Sequence, residues 1–380
     1  MPDDQASSSR PKHWVFCSSG ARPLFLENIV RALALPSGDR IKYRYEADLV
    51  SETFRDLVGE TTSFSRRSVV GDTAYLSFLD NRDKSRAPVV YPVREAIIKS
   101  VSVLGTTYVV ELQLQCVLDW SADGKMSSTI AQLAIDDLPG WLPKADRNDE
   151  RDWHGCWLAA TNPLPNECFS PYSAPKRTHL SAFESCVNAL SQSTDFSDGK
   201  RLFANVLGLR DREEKHVRAD PILKAGRTYE LAVYHYQPGD GTHNPLENFR
   251  IVATTDNPDV TVLGDPERHV EARYDEISFP LHVREDAKDG RVNIGLIIKR
   301  LDGGQTEPLY ILRGEMMRRV KSSRGRKIGF GVLIGLGLFG AQAATLFAAK
   351  EPPSAMTIVI AIAFSLVAGL GASFQVKTKI

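Results

Sequence analysis

Ile277-Ser278-Phe279-Pro280-Leu281-His282-Val283, then a polar turn, then Arg291-Val292-Asn293-Ile294-Gly295-Leu296-Ile297-Ile298: this stretch decides how the chain is read. Apolar residues fall at every second position on both sides of the turn. Period two is the side-chain repeat of a half-buried strand, so the stretch reads as two strands and their connection. Tyr229, Leu231 and Val233 form a third such run. Pro238-Gly239-Asp240-Gly241, Asp256-Asn257-Pro258, Asp286 to Gly290 and Asp302-Gly303-Gly304 are turn signals between runs. About seven short strands between residues 200 and 318 predict a β-sandwich. Its last strand is expected near Pro308 to Leu312.

Working outward to the N-terminus, residues 1–11 form a polar tail and residues 12–195 a separate α+β domain. Trp14 to Cys17 reads as a strand. Arg22 to Leu35 carries Leu26, Ile29, Val30 and Leu33 at helical spacing, with Pro23 suited to a first turn. Ile41, Tyr43 and Tyr45 alternate with Lys42, Arg44 and Glu46. Tyr108 to Leu118 alternates over a long strand, and Gly105 predicts a hairpin with Ala96 to Val103. The domain is expected to hold a mostly antiparallel sheet or a small barrel, the alternative being parallel βαβ order. Residues 126–200 are irregular, broken by Pro139, Pro143, Pro163, Pro165, Pro171 and Pro175, with one helix at His179 to Gln192.

Toward the C-terminus, residues 328–349 and 355–374 are uncharged runs of 22 and 20 residues. Each is long enough to cross roughly 30 Å of hydrocarbon as a helix. Lys350-Glu351-Pro352-Pro353-Ser354 makes a tight polar turn between them. Arg318, Arg319, Lys321, Arg324, Arg326 and Lys327 precede the first run, and Lys377 and Lys379 follow the second. That bias predicts both termini in the cytoplasm, with the basic cluster against anionic headgroups. Small residues recur at steps of four in each run: Gly331 and Gly335, then Gly337 and Ala341, and in the second run Ala361, Ser365 and Gly369. Such stripes support close helix packing, either between copies of the chain as a homo-oligomer or between the two runs of one chain. No ionisable group lies within either run, which disfavours a selective transport path. The expected fold class is therefore multidomain: an N-terminal α+β domain, a β-sandwich and a C-terminal α-helical transmembrane hairpin.

Lys+Arg and Asp+Glu balance at 47 each, which argues against general nucleic-acid binding. Five cysteines without paired spacing do not look like a disulfide framework, and the opening residues carry no apolar run resembling a signal peptide. Both observations point to a reducing cytoplasm.

Candidate chemistry is sparse. Cys17-Ser18-Ser19-Gly20-Ala21-Arg22 joins a strand to a helix. Backbone N–H groups of Ser18, Ser19 and Gly20 at a helix N-terminus could cradle an anion with Arg22 as its partner, and the dipole could lower the Cys17 pKa. The alternative is a plain structural turn. No Gly-Lys-Ser/Thr follows, so it is not a P-loop. His154, Cys156, Cys168 and His179 do not match zinc spacing, and His235, His243 and His269 read as ordinary surface histidines. Arg40, Lys42 and Arg44 form a basic strand face for a nucleotide or acidic partner, or for solvent. No metal, cofactor or catalytic constellation is expected, and the chain reads as non-enzymatic.

Asp286-Ala287-Lys288-Asp289-Gly290-Arg291-Val292 resembles the turn entering a late strand of bacterial immunoglobulin-like domains, which implies an Ig-like sandwich. The whole layout resembles bacterial defence effectors that join a cytosolic sensing region to two C-terminal spans. That resemblance implies an inner-membrane protein, partnered by the lipid bilayer and by an unknown protein or small-molecule trigger, acting in phage defence or stress. The alternative function is a membrane-tethered scaffold that recruits partners through the sandwich.

Overall fold

A computed structural model describes residues 13–20, 23–59, 69–80, 89–120, 155–159, 168–169, 176–193, 195–196, 201–212, 217–218, 222–239, 248–301 and 309–322. The chain divides into two compact units: residues 1–221, 228–282 and 292–318, and residues 222–227, 283–291 and 319–380.

The first unit opens with a seven-stranded sheet. Its strands are β1 (His13–Ser19), β2 (Arg40–Glu46), β3 (Thr73–Asp80), β4 (Val89–Leu104), β5 (Thr107–Leu118), β6 (Gly155–Ala159) and β7 (Cys168–Phe169). The order is β2-β5-β4-β3-β1-β6, and β7 pairs with the end of β5 at Val117 and Leu118, beyond the stretch that β2 covers. Among the described residues the sheet's end strands β2 and β6 do not pair, so it is open there rather than barrel-like. Among the described pairings of this sheet only β1 and β3 run parallel, across a connection that holds α1 (Pro23–Ala34), β2 and α2 (Glu52–Gly59). The expected hairpin is present: β4 and β5 pair antiparallel around Gly105, whose φ of +63° favours glycine.

Helix α1 starts with proline, whose fixed φ suits a first turn. It buries Leu26, Ile29, Val30 and Leu33. On α2, Phe54 packs edge-on against Trp14 and Phe16 at 4.8 and 6.0 Å between ring centroids. A third helix, α3 (Lys176–Leu190), buries Phe183, Val187 and Leu190.

The sandwich strands follow, mostly in the same unit. These are β8 (Phe203–Asp211), β9 (Val217–Arg218), β11 (Thr228–Tyr236), β12 (Phe249–Thr255), β13 (Val260–Val262), β14 (Glu267–His269), β15 (Tyr274–Val283), β16 (Gly290–Arg300) and β17 (Leu309–Lys321), after the two-residue β10 (Leu223–Lys224). Strand β10 and the ends of β15, β16 and β17 belong to the second unit. One sheet runs β13-β15-β11-β8-β9; the other contains β17-β16-β12-β14. The alternation that opened the sequence reading is the burial pattern here. Phe279, Leu281 and Val283 are buried on β15, and Val292, Ile294, Leu296 and Ile298 on β16. In the second unit β10 pairs in parallel with the end of β17, Leu223 against Val320 and Lys224 against Lys321.

The expected fold class needs correction. Among the described residues the chain is dominated by strands, and its helices have 12, 8 and 15 residues. At ~1.5 Å per residue the longest spans about 22 Å, short of a ~30 Å hydrocarbon core. No helix among them is long and apolar enough to cross a membrane. The stretches 328–349 and 355–374 that carried the expected hairpin, with Gly331, Gly335, Gly337, Ala341, Ala361, Ser365 and Gly369, lie outside the described residues. A second correction concerns β17, which continues through Lys321 instead of stopping near Leu312. Its inward row is Leu312, Gly314, Met316, Arg318 and Val320. A glycine and an arginine interrupt the apolar repeat, so period-two reading loses the strand halfway.

Candidate functional site

Pro36 creates the central polar cluster. A helix carbonyl normally accepts the N–H four residues on. Ala32 would need the N–H of Pro36, which has none. Arg94 on β4 supplies the donor. Its Nη1 donates to the carbonyls of Ala32 and Leu35, both at 2.6 Å. Its Nη2 donates to Ser37 Oγ at 3.1 Å and to the Gln115 carbonyl at 3.0 Å, and Nε reaches that same carbonyl at 3.3 Å. The guanidinium is buried against the C-terminal end of α1, where the helix dipole favours a cation.

Two residues of the sandwich strands grip the same turn. Asn205 on β8 donates from Nδ2 to the Leu33 carbonyl at 2.6 Å. Its Oδ1 accepts from His179 Nε2 of α3 at 2.9 Å, which sets the histidine tautomer. Arg318 on β17 donates from Nη1 to Asp39 Oδ1 at 2.7 Å, with both side chains buried. Gly314 lies against Leu35: a Cβ there would stand 3.3 Å from Leu35 Cδ2. On α3, Glu184 accepts from the Tyr234 hydroxyl, and Asn188 accepts from Tyr236 at 2.9 Å. Burial, reinforced by the Glu184 carboxylate, pushes the Tyr234 phenol up.

The expected anion cradle is already filled. Ser18 and Ser19 are buried at the end of β1, and a Cβ on Gly20 would overlap the Asp195 carboxylate. Arg22 lies outside the described residues. Cys17 moves opposite to the dipole expectation, because burial pushes its thiol well up.

The basic cluster expected at a membrane surface is divided. Arg318 is buried in its ion pair, while Arg319 and Lys321 are exposed on the same strand. Arg324, Arg326 and Lys327 lie outside the described residues. On β2 the charged row of Arg40, Lys42 and Arg44 is exposed, with Arg40 paired to Glu111 at 2.6 Å.

His179 is engaged with Asn205 rather than a metal. Cys156 and Cys168 belong to β6 and β7, five strand steps apart in the sheet. That is about 24 Å at ~4.8 Å per step, too far for a shared ion. No metal-holding group of side chains occurs among the described residues. His235 is buried, not at the surface. Burial lowers its pKa to about 4 against the opposing charge of Asp275. His269 is exposed and His243 is outside the described residues. His13, which attracted no notice in the sequence, is buried and stacks on Tyr75 at 5.9 Å. Its pKa is lowered by burial, with Asp72 opposing. One cysteine expectation also fails: Cys116 is disulfide-bonded, while Cys17 and Cys186 are free and buried.

No family model and no curated protein matches the chain. Among solved structures, a fragment of native alpha-2-macroglobulin from Escherichia coli, running from domain MG7 to the C-terminus, is similar at 11% identity. The match covers 46% of this chain and 33% of that one, with a TM-score of 0.21, too low to support any argument. The site therefore stands on its own geometry: a buried polar clamp around the end of α1.

Proposed function

We propose that this is a membrane-attached, non-enzymatic sensor or effector. The strand-rich part takes a ligand or partner, and the apolar C-terminal sequence acts at the bilayer of a bacterial inner membrane. The observation that carries this reading is the course of β17. The strand is pinned by a buried ion pair at Arg318, and exposed Arg319 and Lys321 follow. Arg324, Arg326 and Lys327 follow within six residues, and the sequence is then uncharged over 328–349 and 355–374. A fixed strand thus delivers the chain to sequence with an affinity for lipid, with cations that favour anionic headgroups.

A tethered scaffold is the second reading. The exposed Tyr274 and Met317, 64% and 54% accessible, favour it because large apolar side chains on sandwich strands suit a docking partner. The experiment compares the full chain with a chain ending at Ser322, by carbonate extraction of membranes and by dye entry into expressing cells. Carbonate-resistant full chain with loss of the barrier supports the effector. Resistant chain with an intact barrier supports the scaffold. Full chain in the carbonate-soluble fraction overturns both.

A further inference from the structure

We infer that the last turn of α1 and the link into β2, residues 32–39, form a coupling element that makes the seven-stranded sheet and the sandwich strands of the first unit respond as one body. The inference does not depend on the membrane reading. The turn is held from two directions. Arg94, rooted in the seven-stranded sheet, binds the carbonyls of Ala32 and Leu35. From the sandwich strands, Asn205 binds the carbonyl of Leu33 and Arg318 binds Asp39.

These contacts join residues 172 and 279 positions apart in sequence. Charge-assisted bonds at 2.6–2.7 Å weaken steeply when stretched. Gly314 lets β17 approach closely, since an added Cβ would stand 3.3 Å from Leu35 Cδ2. A ligand or partner that shifts α1 must therefore carry Asp39 with it, and Asp39 carries Arg318 and β17. Breaking the Asp39–Arg318 contact would cost both buried side chains a short charge-assisted bond, so the two ends favour moving together.

All five tryptophans lie before residue 160. In urea, tryptophan fluorescence of the full chain therefore reports the seven-stranded sheet, and hydrogen exchange of peptides covering β11, β16 and β17 reports the sandwich. The expected result is one shared midpoint. Asp39→Asn should separate the two, with residues 309–321 losing protection first, and Asp39→Glu should bring them back together. Separate midpoints in the parent chain would overturn the inference, as would a uniform shift of both signals in Asp39→Asn. Should Asp39→Asn fail to fold, Arg318→Lys decides by native-state exchange. Exchange of residues 309–321 faster by about tenfold supports the coupling, and unchanged exchange overturns it.

Discussion

Replacing Arg94 with methionine tests the clamp most directly. Methionine roughly keeps the buried volume and removes the charge and the donors together. Four acceptors lose their bonds from Arg94: the carbonyls of Ala32, Leu35 and Gln115, and Ser37 Oγ. Ala32 is the decisive one, because Pro36 offers no N–H to replace the guanidinium. Each hydrogen bond to a charged donor is worth about 1.5–3 kcal/mol. Simple addition of five overshoots, since removing the arginine also removes its desolvation cost. A net loss of about 3–5 kcal/mol is expected, because buried carbonyls left without a donor cost about 1–3 kcal/mol each. Arg94→Lys keeps the charge but offers one point donor group in place of a planar fork, so it should lose about half as much. The assay is urea unfolding of the full chain followed by tryptophan fluorescence, reading the midpoint at constant m-value. A loss below about 1 kcal/mol for Arg94→Met, or a lysine variant less stable than the methionine one, would refute the clamp as the element holding the end of α1.

Stability should also depend on pH through His235. Its folded pKa, about 4, lies below its ordinary value near 6.5, so the unfolded chain binds the proton first. Stability contributed by the neutral ring is full above pH 6.5, falls between 6.5 and 4, and is level below 4. The total is about 3 kcal/mol, and His235→Gln should flatten that part of the curve measured by urea unfolding from pH 7 to 4. Gly20→Ala should destabilise by about 1–3 kcal/mol through overlap with Asp195. Asp195→Gly should relieve most of that in the double variant, and additive losses would count against the contact. Iodoacetamide followed by mass spectrometry should leave Cys17 and Cys186 unlabelled in the native chain, and should label Cys116 only after reduction.

Several elements were legible in the sequence because their signal lies between near neighbours. The alternation on β11, β15 and β16 and the helical spacing of Leu26, Ile29, Val30 and Leu33 predict which face is buried. The β4–β5 hairpin was marked by Gly105. The parallel pairing of β1 with β3 was not marked, because two strands that must be bridged by a helix carry no local sign of each other. Nor was Arg94, which reads as one more polar residue in Pro92-Val93-Arg94-Glu95 until the carbonyl left open by Pro36 is seen beside it.

Arg318 draws the dividing line. By itself the sequence determined the period-two strands, the first helix and the charge of the basic run, since backbone period and side-chain polarity are local properties. Only the tertiary structure decided that Arg318 leaves that run to face inward, because its partner Asp39 lies 279 residues earlier. Apolar burial can be read from spacing alone, for any apolar neighbour will serve. A buried charge needs one particular partner at hydrogen-bond distance, and that partner is chosen only when strands distant in sequence close together.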